Sequence, residues 1–219
     1  ACLAHRVQKM IDVSTDKAVE PINVYGLTKA MAERMTIQAN VGSPITRFVC
    51  IRGGNVLGTN GSVVPFFRER IMADKPIPVT SKKMTRFFLT LPEAIELLLK
   101  AAEVSIGGET FVMKMNACNI YDLAVVMRDH LATEPVPIRE VGIRPGEKLH
   151  EVLISRTESM RTFCYGEQYY VILPSHPSRE LQQRYGTLPP VPFQEYTSRT
   201  FRMTREEIAA MLKRGGYLS

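Results

Sequence analysis

The sequence predicts an α/β protein with a parallel sheet that carries its chemistry at strand ends. Three observations lead there. Met10, Ile11 and Val13 form a short apolar run that stops at Ser14-Thr15-Asp16-Lys17, the pattern of a buried strand delivering polar side chains to its carboxyl end. Thr46 to Ile51 is a second apolar run that alternates poorly, as a strand covered on both faces does. Between and after these runs lie segments of helical period, so strands and helices alternate. Ligands of open α/β sheets bind beyond the carboxyl ends of the strands.

Taken in order, Pro21 opens a helical segment from Asn23 to Val41, with Leu27, Ala30, Met31, Met35 and Ile37 or Gln38 set to pack one face on the sheet; Gly42 and Pro44 end it. Ser62 is the expected N-cap of a helix reaching Ala73, and Pro76, Pro78 and Thr80 mark a turn and short strand. Thr90 precedes a helix from Pro92 to Val104 whose stripe of Ala94, Ile95, Leu98, Leu99 and Ala102 is expected in the core. Glu109 to Met113 reads as a strand, Tyr121 to Leu131 as an amphipathic helix through Leu123, Ala124, Met127 and Leu131, and Val136 to Val141 as a strand. Tyr169 to Leu173 is a further strand, whereas Ser175 to Pro192, polar and proline-rich, reads as irregular surface. Thr204 and Glu207 form a capping-box signature for a last helix that Gly215 and Gly216 close.

Composition narrows the function. With 219 residues, 45% apolar and 23% charged, the chain can bury a real core as one or two globular units. The net charge of +6 comes from Lys and Arg scattered among Asp and Glu, with no basic run interleaved with aromatics, which favours an anionic small ligand over nucleic acid. Cys2, Cys50, Cys118 and Cys164 show no paired spacing and read as reduced thiols of a cytoplasmic protein. His5, His130, His150 and His176 match no zinc pattern, so no metal is expected. No apolar run approaches the ~20 residues of a membrane span.

The chemistry concentrates in S-T-D-K-A-V-E-P-I-N-V-Y-G-L-T-K, Ser14 to Lys29. Tyr25 and Lys29, four apart, share one helix face one turn from each other. A cation beside a phenol favours the phenolate, so such a tyrosine can take a proton from an alcohol while the carbinol carbon is oxidised. Asp16 and Lys17 at the strand end are an acid and a base of different proton affinity; an ion pair in a turn is their plainer reading. Arg86, inside the otherwise apolar M-T-R-F-F-L-T, and Arg144, in R-P-G-E-K, are the chosen phosphate ligands, because guanidinium bonds phosphate oxygens bidentately. Glu147 is placed to accept from ribose hydroxyls, with a surface pair to Arg144 as the alternative.

Tyr-x-x-x-Lys behind a strand-end Ser/Thr resembles the extended short-chain dehydrogenase/reductases, and Thr15-Asp16-Lys17 narrows the likeness to nucleotide-sugar 4,6-dehydratases. The full wording resembles the UDP-N-acetylglucosamine 4,6-dehydratases of polysaccharide biosynthesis, most of all the inverting kind that starts pseudaminic acid synthesis. The likeness runs from about Lys9 to Leu173, and more faintly beyond. It implies the carboxyl-terminal part of a Rossmann-type doubly wound sheet with a smaller α/β substrate-binding domain. Residues 1–60 would belong to the nucleotide-binding domain, and 61–219 mainly to the substrate domain, with segments returning to the sheet. The implied enzyme is a hydro-lyase using NADP, or NAD, on UDP-N-acetylglucosamine or a similar UDP-sugar. Tyr25 would take the sugar's 4-hydroxyl proton, Lys17 the proton on carbon 5, and Asp16 would protonate the departing 6-hydroxyl while Thr15 hydrogen-bonds the 4-oxygen. Tyr25, Lys29 and the backbone near Val56 would hold the nicotinamide. Asn55 would meet the sugar, and Ser62, Pro65 and Thr80 would surround the nucleotide; cap and turn duties are the alternative for Ser62 and Thr80. The implied assembly is a homo-oligomer in which the catalytic helix contributes apolar surface.

Two departures stand out. No strand, glycine-rich turn and helix open the chain: Gly53, Gly54, Gly58 and Gly61 match neither G-x-G-x-x-G nor G-x-x-G-x-x-G, so the sequence reads as the carboxyl-terminal two-thirds of a longer protein. Gly53 also stands where these enzymes commonly carry an aromatic residue. Some membrane-bound relatives carry methionine at the place of Tyr25, so the tyrosine leans toward the soluble branch. A UDP-sugar 4-epimerase, which shares Tyr25 and Lys29 but needs no elimination pair, is the rival enzyme. A UDP-sugar-binding remnant without turnover is the rival from another class.

Overall fold

The computed structural model describes residues 1–218. Its elements run β1 (Lys9–Thr15), α1 (Val24–Asn40), β2 (Arg47–Gly53), β3 (Asn55–Val56), α2 (Val63–Met72), β4 (Ile77–Val79) and β5 (Thr85–Leu89). Then come α3 (Leu91–Val104), β6 (Thr110–Met113), β7 (Ala117–Asn119), α4 (Ile120–Leu131), β8 (Ile138–Glu140) and β9 (Val152–Ile154). The chain ends with α5 (Arg156–Ser159), β10 (Thr162–Tyr165), β11 (Tyr169–Ile172), α6 (Arg179–Tyr185), β12 (Tyr196–Thr197) and α7 (Arg205–Arg214). These elements divide between two units.

The first unit comprises Ala1–Gly53, Glu93–Lys114 and Val152–Thr197. Its sheet has the order β1-β2-β6-β11-β10, with β1, β2 and β6 parallel and β11 and β10 antiparallel. Val49, Cys50, Ile51, Phe111, Val112 and Val171 are buried in it, which is why β2 shows no alternation in sequence. β1 pairs on one side only among the described residues, and its Val13 is more than half exposed rather than buried as the apolar run suggested.

α1 begins one residue later than expected, with Asn23 as its N-cap: Asn23 Oδ1 accepts from the Gly26 N–H at 2.8 Å. Its facing differs from expectation. Leu27, Met31 and Met35 are exposed, while Gly26, Glu33 and Thr36 are buried. The physical reason is an ion cluster the sequence does not advertise. Arg52 on β2 donates to Glu33 through Nε at 3.0 Å and Nη2 at 2.6 Å, to Glu158 through Nη1 at 3.1 Å and Nη2 at 3.0 Å, and to the Leu153 carbonyl at 2.8 Å. A buried charge is tolerable only when paired and fully hydrogen-bonded, so the helix turns Glu33 inward and its methionines outward.

α3 is rotated from expectation in the same way. Leu97 and Ala101 are its buried residues, and Ile95 and Leu99 are exposed. With apolar residues on most of its circumference, periodicity alone does not choose the inner face. The segment read as irregular surface contains α6, capped by Ser178 and burying Leu181 and Tyr185. Tyr185 donates to Glu109 at 3.0 Å, and the same buried carboxylate accepts the Ile106 and Gly107 N–H groups at 2.7 Å each.

The second unit comprises Gly54–Pro92, Met115–Glu151 and the chain from Ser198. β3, β5 and β7 form one small sheet and β4 pairs with β8 in parallel. Val64, Phe67 and Ile71 of α2, Leu123 and Met127 of α4, and Ile208, Met211 and Leu212 of α7 share one core. Burying each such side chain contributes roughly 1.5–3 kcal/mol. The capping box of α7 is present as read, with Thr204 and Glu207 bonding each other's backbone N–H. Ser62 occupies the N-cap of α2, yet its hydroxyl makes no capping bond. Gly54 is required by contact, since a Cβ there would lie 2.6 Å from the Phe87 carbonyl oxygen. All four cysteines are free, and burial pushes the thiols of Cys50 and Cys118 up, keeping them protonated. No helix among the described residues is long and apolar enough to cross a membrane.

Candidate active site

β1 ends at Thr15, which caps a one-turn 3-10 helix of Asp16–Ala18. Thr15 donates its hydroxyl to Asp16 Oδ1 at 2.9 Å, and Lys17 Nζ donates to the same oxygen at 2.9 Å. Asp16 is fully buried and the Lys17 side chain is about one-third exposed, at 31%. Asp16 Oδ2 has no partner among the described residues, and neither has the hydroxyl of Ser14. A buried carboxylate that pairs through one oxygen leaves the other free to exchange a proton.

α1 is seated on this strand end at two points. Lys29 Nζ donates to the Val13 carbonyl at 2.9 Å, and buried Gly26 lies so close to the Lys17 carbonyl that no Cβ fits between them. Tyr25, adjoining that contact and one turn before Lys29, is 53% exposed. Asp12 lies within the same field: burial chiefly raises its pKa, Glu33 adds, and the Lys29 charge opposes. Thr15, Asp16, Lys17, Tyr25 and Lys29 therefore belong to one turn and the helix resting on it.

The remaining residues singled out from the sequence lie in the second unit. Asn55 and Val56 form β3, in register with Phe88 and Leu89 of β5. Ser62 and Pro65 stand at the start of α2, and Thr80 follows β4. Arg144 and Glu147 bracket a turn closed by the Glu147 N–H on the Arg144 carbonyl at 3.1 Å; Arg144 is exposed, and no ion pair joins the two side chains among the described residues. Glu147 Oε2 is buried without a partner.

Arg86 is largely committed. It donates to the carbonyls of Thr85 at 2.7 Å and Lys148 at 2.8 Å, and lies 3.5 Å from Glu151, so it fastens the R-P-G-E-K loop to β5. Sequence reasoning did not find the group beside it. His150 Nδ1 shares the Thr85 hydroxyl at 2.8 Å, and that hydroxyl also meets Ser198 Oγ at 2.7 Å. Burial, and then the charges of Arg199, Arg86 and Arg202, hold His150 below the ordinary histidine range. The R-T-F-R spacing of Arg199 and Arg202 was the available signal. His150 is accordingly neutral near pH 7 in the folded chain, and because its folded pKa is depressed, this contribution to stability is present above the unfolded value and fades as pH falls. A diphosphate bound among these arginines would offset their charge and raise the His150 pKa. A histidine NMR titration with and without inorganic pyrophosphate checks this, and an unmoved titration would mean that no diphosphate sits beside His150.

Comparison with known proteins follows the same stretches. Over 178 residues the chain is 42% identical to the UDP-N-acetylglucosamine 4,6-dehydratase (inverting) of Campylobacter jejuni, covering 80% of this chain and 52% of that one. It is 37% identical over 173 residues to the UDP-glucose 4-epimerase of Rickettsia typhi, covering 78% and 50%. The X-ray structure of Pen from Bacillus thuringiensis superposes with a TM-score of 0.87 at 32% identity, covering 100% of this chain and 65% of that one. The chain thus spans about half the length of these two curated relatives. A family model described as polysaccharide biosynthesis protein matches residues 1–173, a stretch that holds the strand-end turn, the helix resting on it and the R-P-G-E-K loop. On that match, over more than three-quarters of its length, the chain belongs to the polysaccharide biosynthesis protein family.

Proposed function

We propose that this sequence serves a nucleotide-sugar 4,6-dehydratase, a hydro-lyase acting on UDP-N-acetylglucosamine. The carrying observation is the contact of Lys17 with one oxygen of buried Asp16 at the strand end on which the Tyr25 and Lys29 helix rests.

A nicotinamide, NADP or NAD, fits the residues present. Lys29 spends one of its three donors on Val13, which leaves two for ribose hydroxyls, and the Tyr25 phenol is exposed beside it. When bound, this group supplies the reversible two-electron oxidation of the sugar's carbon 4. Tyr25 takes the proton of the 4-hydroxyl, the Lys29 charge stabilises the phenolate, and Thr15 hydrogen-bonds the 4-oxygen.

The resulting ketone acidifies carbon 5. Lys17 is assigned as the base of the elimination and Asp16 as its acid. Lys17 takes the carbon-5 proton, the bond from carbon 6 to its oxygen breaks, and Asp16 gives its proton to the leaving hydroxyl, so water departs and the pair is left ionised. Protons and charges balance within the pair. Lys17 then gives carbon 5 a proton that has exchanged with solvent, while a bound nicotinamide would supply the two electrons and hydrogen that carbon 6 needs. The proton that Tyr25 took passes through solvent to Asp16, which resets the pair. Asn55 and Glu147 are assigned to the sugar and ribose, Ser62, Pro65 and Thr80 to the nucleotide, and Arg144 and Arg86 to the phosphates.

The exposed stripe of Leu27, Met31 and Met35 on α1 supports a homo-oligomer. The four free cysteines support a cytoplasmic setting. Incubating the intact enzyme with UDP-N-acetylglucosamine in heavy water tests the reading: the product should be a 4-keto sugar that has lost one water and carries solvent deuterium. A 4-epimerised sugar with no loss of water would instead favour the epimerase, which the Rickettsia typhi relative supports. Binding of UDP-sugar with no turnover would favour the remnant.

A further inference from the structure

We propose that Gly26 is a positioning residue that couples the two proton-handling pairs; the inference rests on the dehydratase reading. Helix interiors disfavour glycine. Gly26 has a different use. It is buried at the third position of the helix, where a Cβ would collide with the Lys17 carbonyl oxygen and crowd Pro21 Cβ at 3.0 Å and Asn23 Oδ1 at 3.3 Å. The colliding atom is backbone, so no side-chain rotation relieves it.

The contact joins the two halves of the chemistry. One side of it is the backbone of Lys17, and the other is the residue next to Tyr25. The second seat of the helix lies one turn on, where Lys29 Nζ holds the Val13 carbonyl. A side chain at position 26 would lift the start of α1 away from the turn, with the Lys29 contact as pivot. Each pair would stay intact within itself: Tyr25 with Lys29 on one helix, Lys17 with Asp16 on one turn. What would change is the spacing between pairs, and one bound sugar must be served by both.

The test is Gly26→Ala in the intact enzyme, read as kcat, KM and the partition of a single turnover between sugar oxidation and water loss. Misplacement on the scale of an ångström lowers kcat ~100-fold, and KM should stay within about threefold because the nucleotide contacts are untouched. Reduced nicotinamide should persist, because the oxidised sugar waits on an elimination pair it no longer meets. A merely structural glycine would lower the melting temperature and the active fraction, leaving that partition as in the parent, and this result would overturn the proposal.

Asn23→Ala is the second variant. It removes the oxygen that holds the Gly26 N–H and loosens the same seat without adding bulk. A smaller shift of the partition in the same direction is expected; an unchanged partition overturns the proposal even if Gly26→Ala does not fold. Should the parent enzyme itself form no 4-keto product, the dehydratase reading has failed. If the parent turns over and both variants partition as it does, only the role of Gly26 falls.

Discussion

Lys17→Ala in the intact enzyme is expected to abolish exchange of the carbon-5 proton with heavy water and to lower dehydratase kcat by about 10³–10⁴, near the upper end of what a positioned acid or base contributes. Sugar binding should change little, because the side chain is assigned to the transition state of elimination and not to the nucleotide. Asp16 would lose its cation, but Thr15 still donates to Oδ1 and the carboxyl can take up a proton, so the turn should hold. Tyr25→Phe should fail one step earlier. That variant keeps the elimination pair but cannot begin the oxidation, so it should show neither reduced nicotinamide nor exchange. The order of the two failures is the content of the mechanism. Exchange continuing at the parent rate in Lys17→Ala would reassign the chain to the epimerases, which need Tyr25 and Lys29 only.

Arg52→Met is expected to destabilise the chain by ~3–5 kcal/mol, because it leaves Glu33 and Glu158 buried and uncompensated. Set against a domain stability of about 5–15 kcal/mol, that is a large share. Chemical denaturation of parent and variant measures it. The triple variant Glu33→Gln, Arg52→Met, Glu158→Gln should recover most of the loss, since no charge is then buried alone. The pH dependence separates this account from simple loss of packing. In the parent, burial pushes Glu158 up, but the Arg52 charge and hydrogen bonds, with those from Ser155, outweigh it and hold the carboxyl below its usual range. A depressed folded pKa means the stabilisation is complete above the unfolded carboxylate value and lost as pH falls through the folded one. In Arg52→Met the cation is gone and the sign reverses: acidifying from pH 7 toward 5 should stabilise the variant relative to the parent, the His150 contribution being common to both and cancelling in the difference. Parallel profiles for the two would mean that Arg52 acts through packing alone.

These two expectations come from parts of the chain that differ in how openly the sequence displays them. Thr15, Asp16, Lys17, Tyr25 and Lys29 fall within fifteen consecutive residues, and a strand end followed by one helical turn is enough to group them. Arg52, Glu33 and Glu158 are drawn from three segments, and Glu158 stands 106 residues from its partner. No local period reports such a pairing. The same holds for His150, whose pKa is lowered first by burial and then by charges that include Arg199 and Arg202 at the far end of the chain.

What the sequence determined by itself was local: where most strands and helices run, that Thr204 and Glu207 cap the last helix, and which short motif carries the proton chemistry. Such features rest on contacts a few residues apart, and their periods and spacings are written in the chain. Tertiary structure alone decided which way α1 and α3 face, that Ser175 to Pro192 contains a packed helix, and that Arg86 fastens a loop. The reason is energetic. A buried guanidinium must find its carboxylates wherever they lie in the chain, and satisfying Arg52 outweighs hiding Leu27, Met31 and Met35, so the helix follows the charge rather than its own apolar stripe.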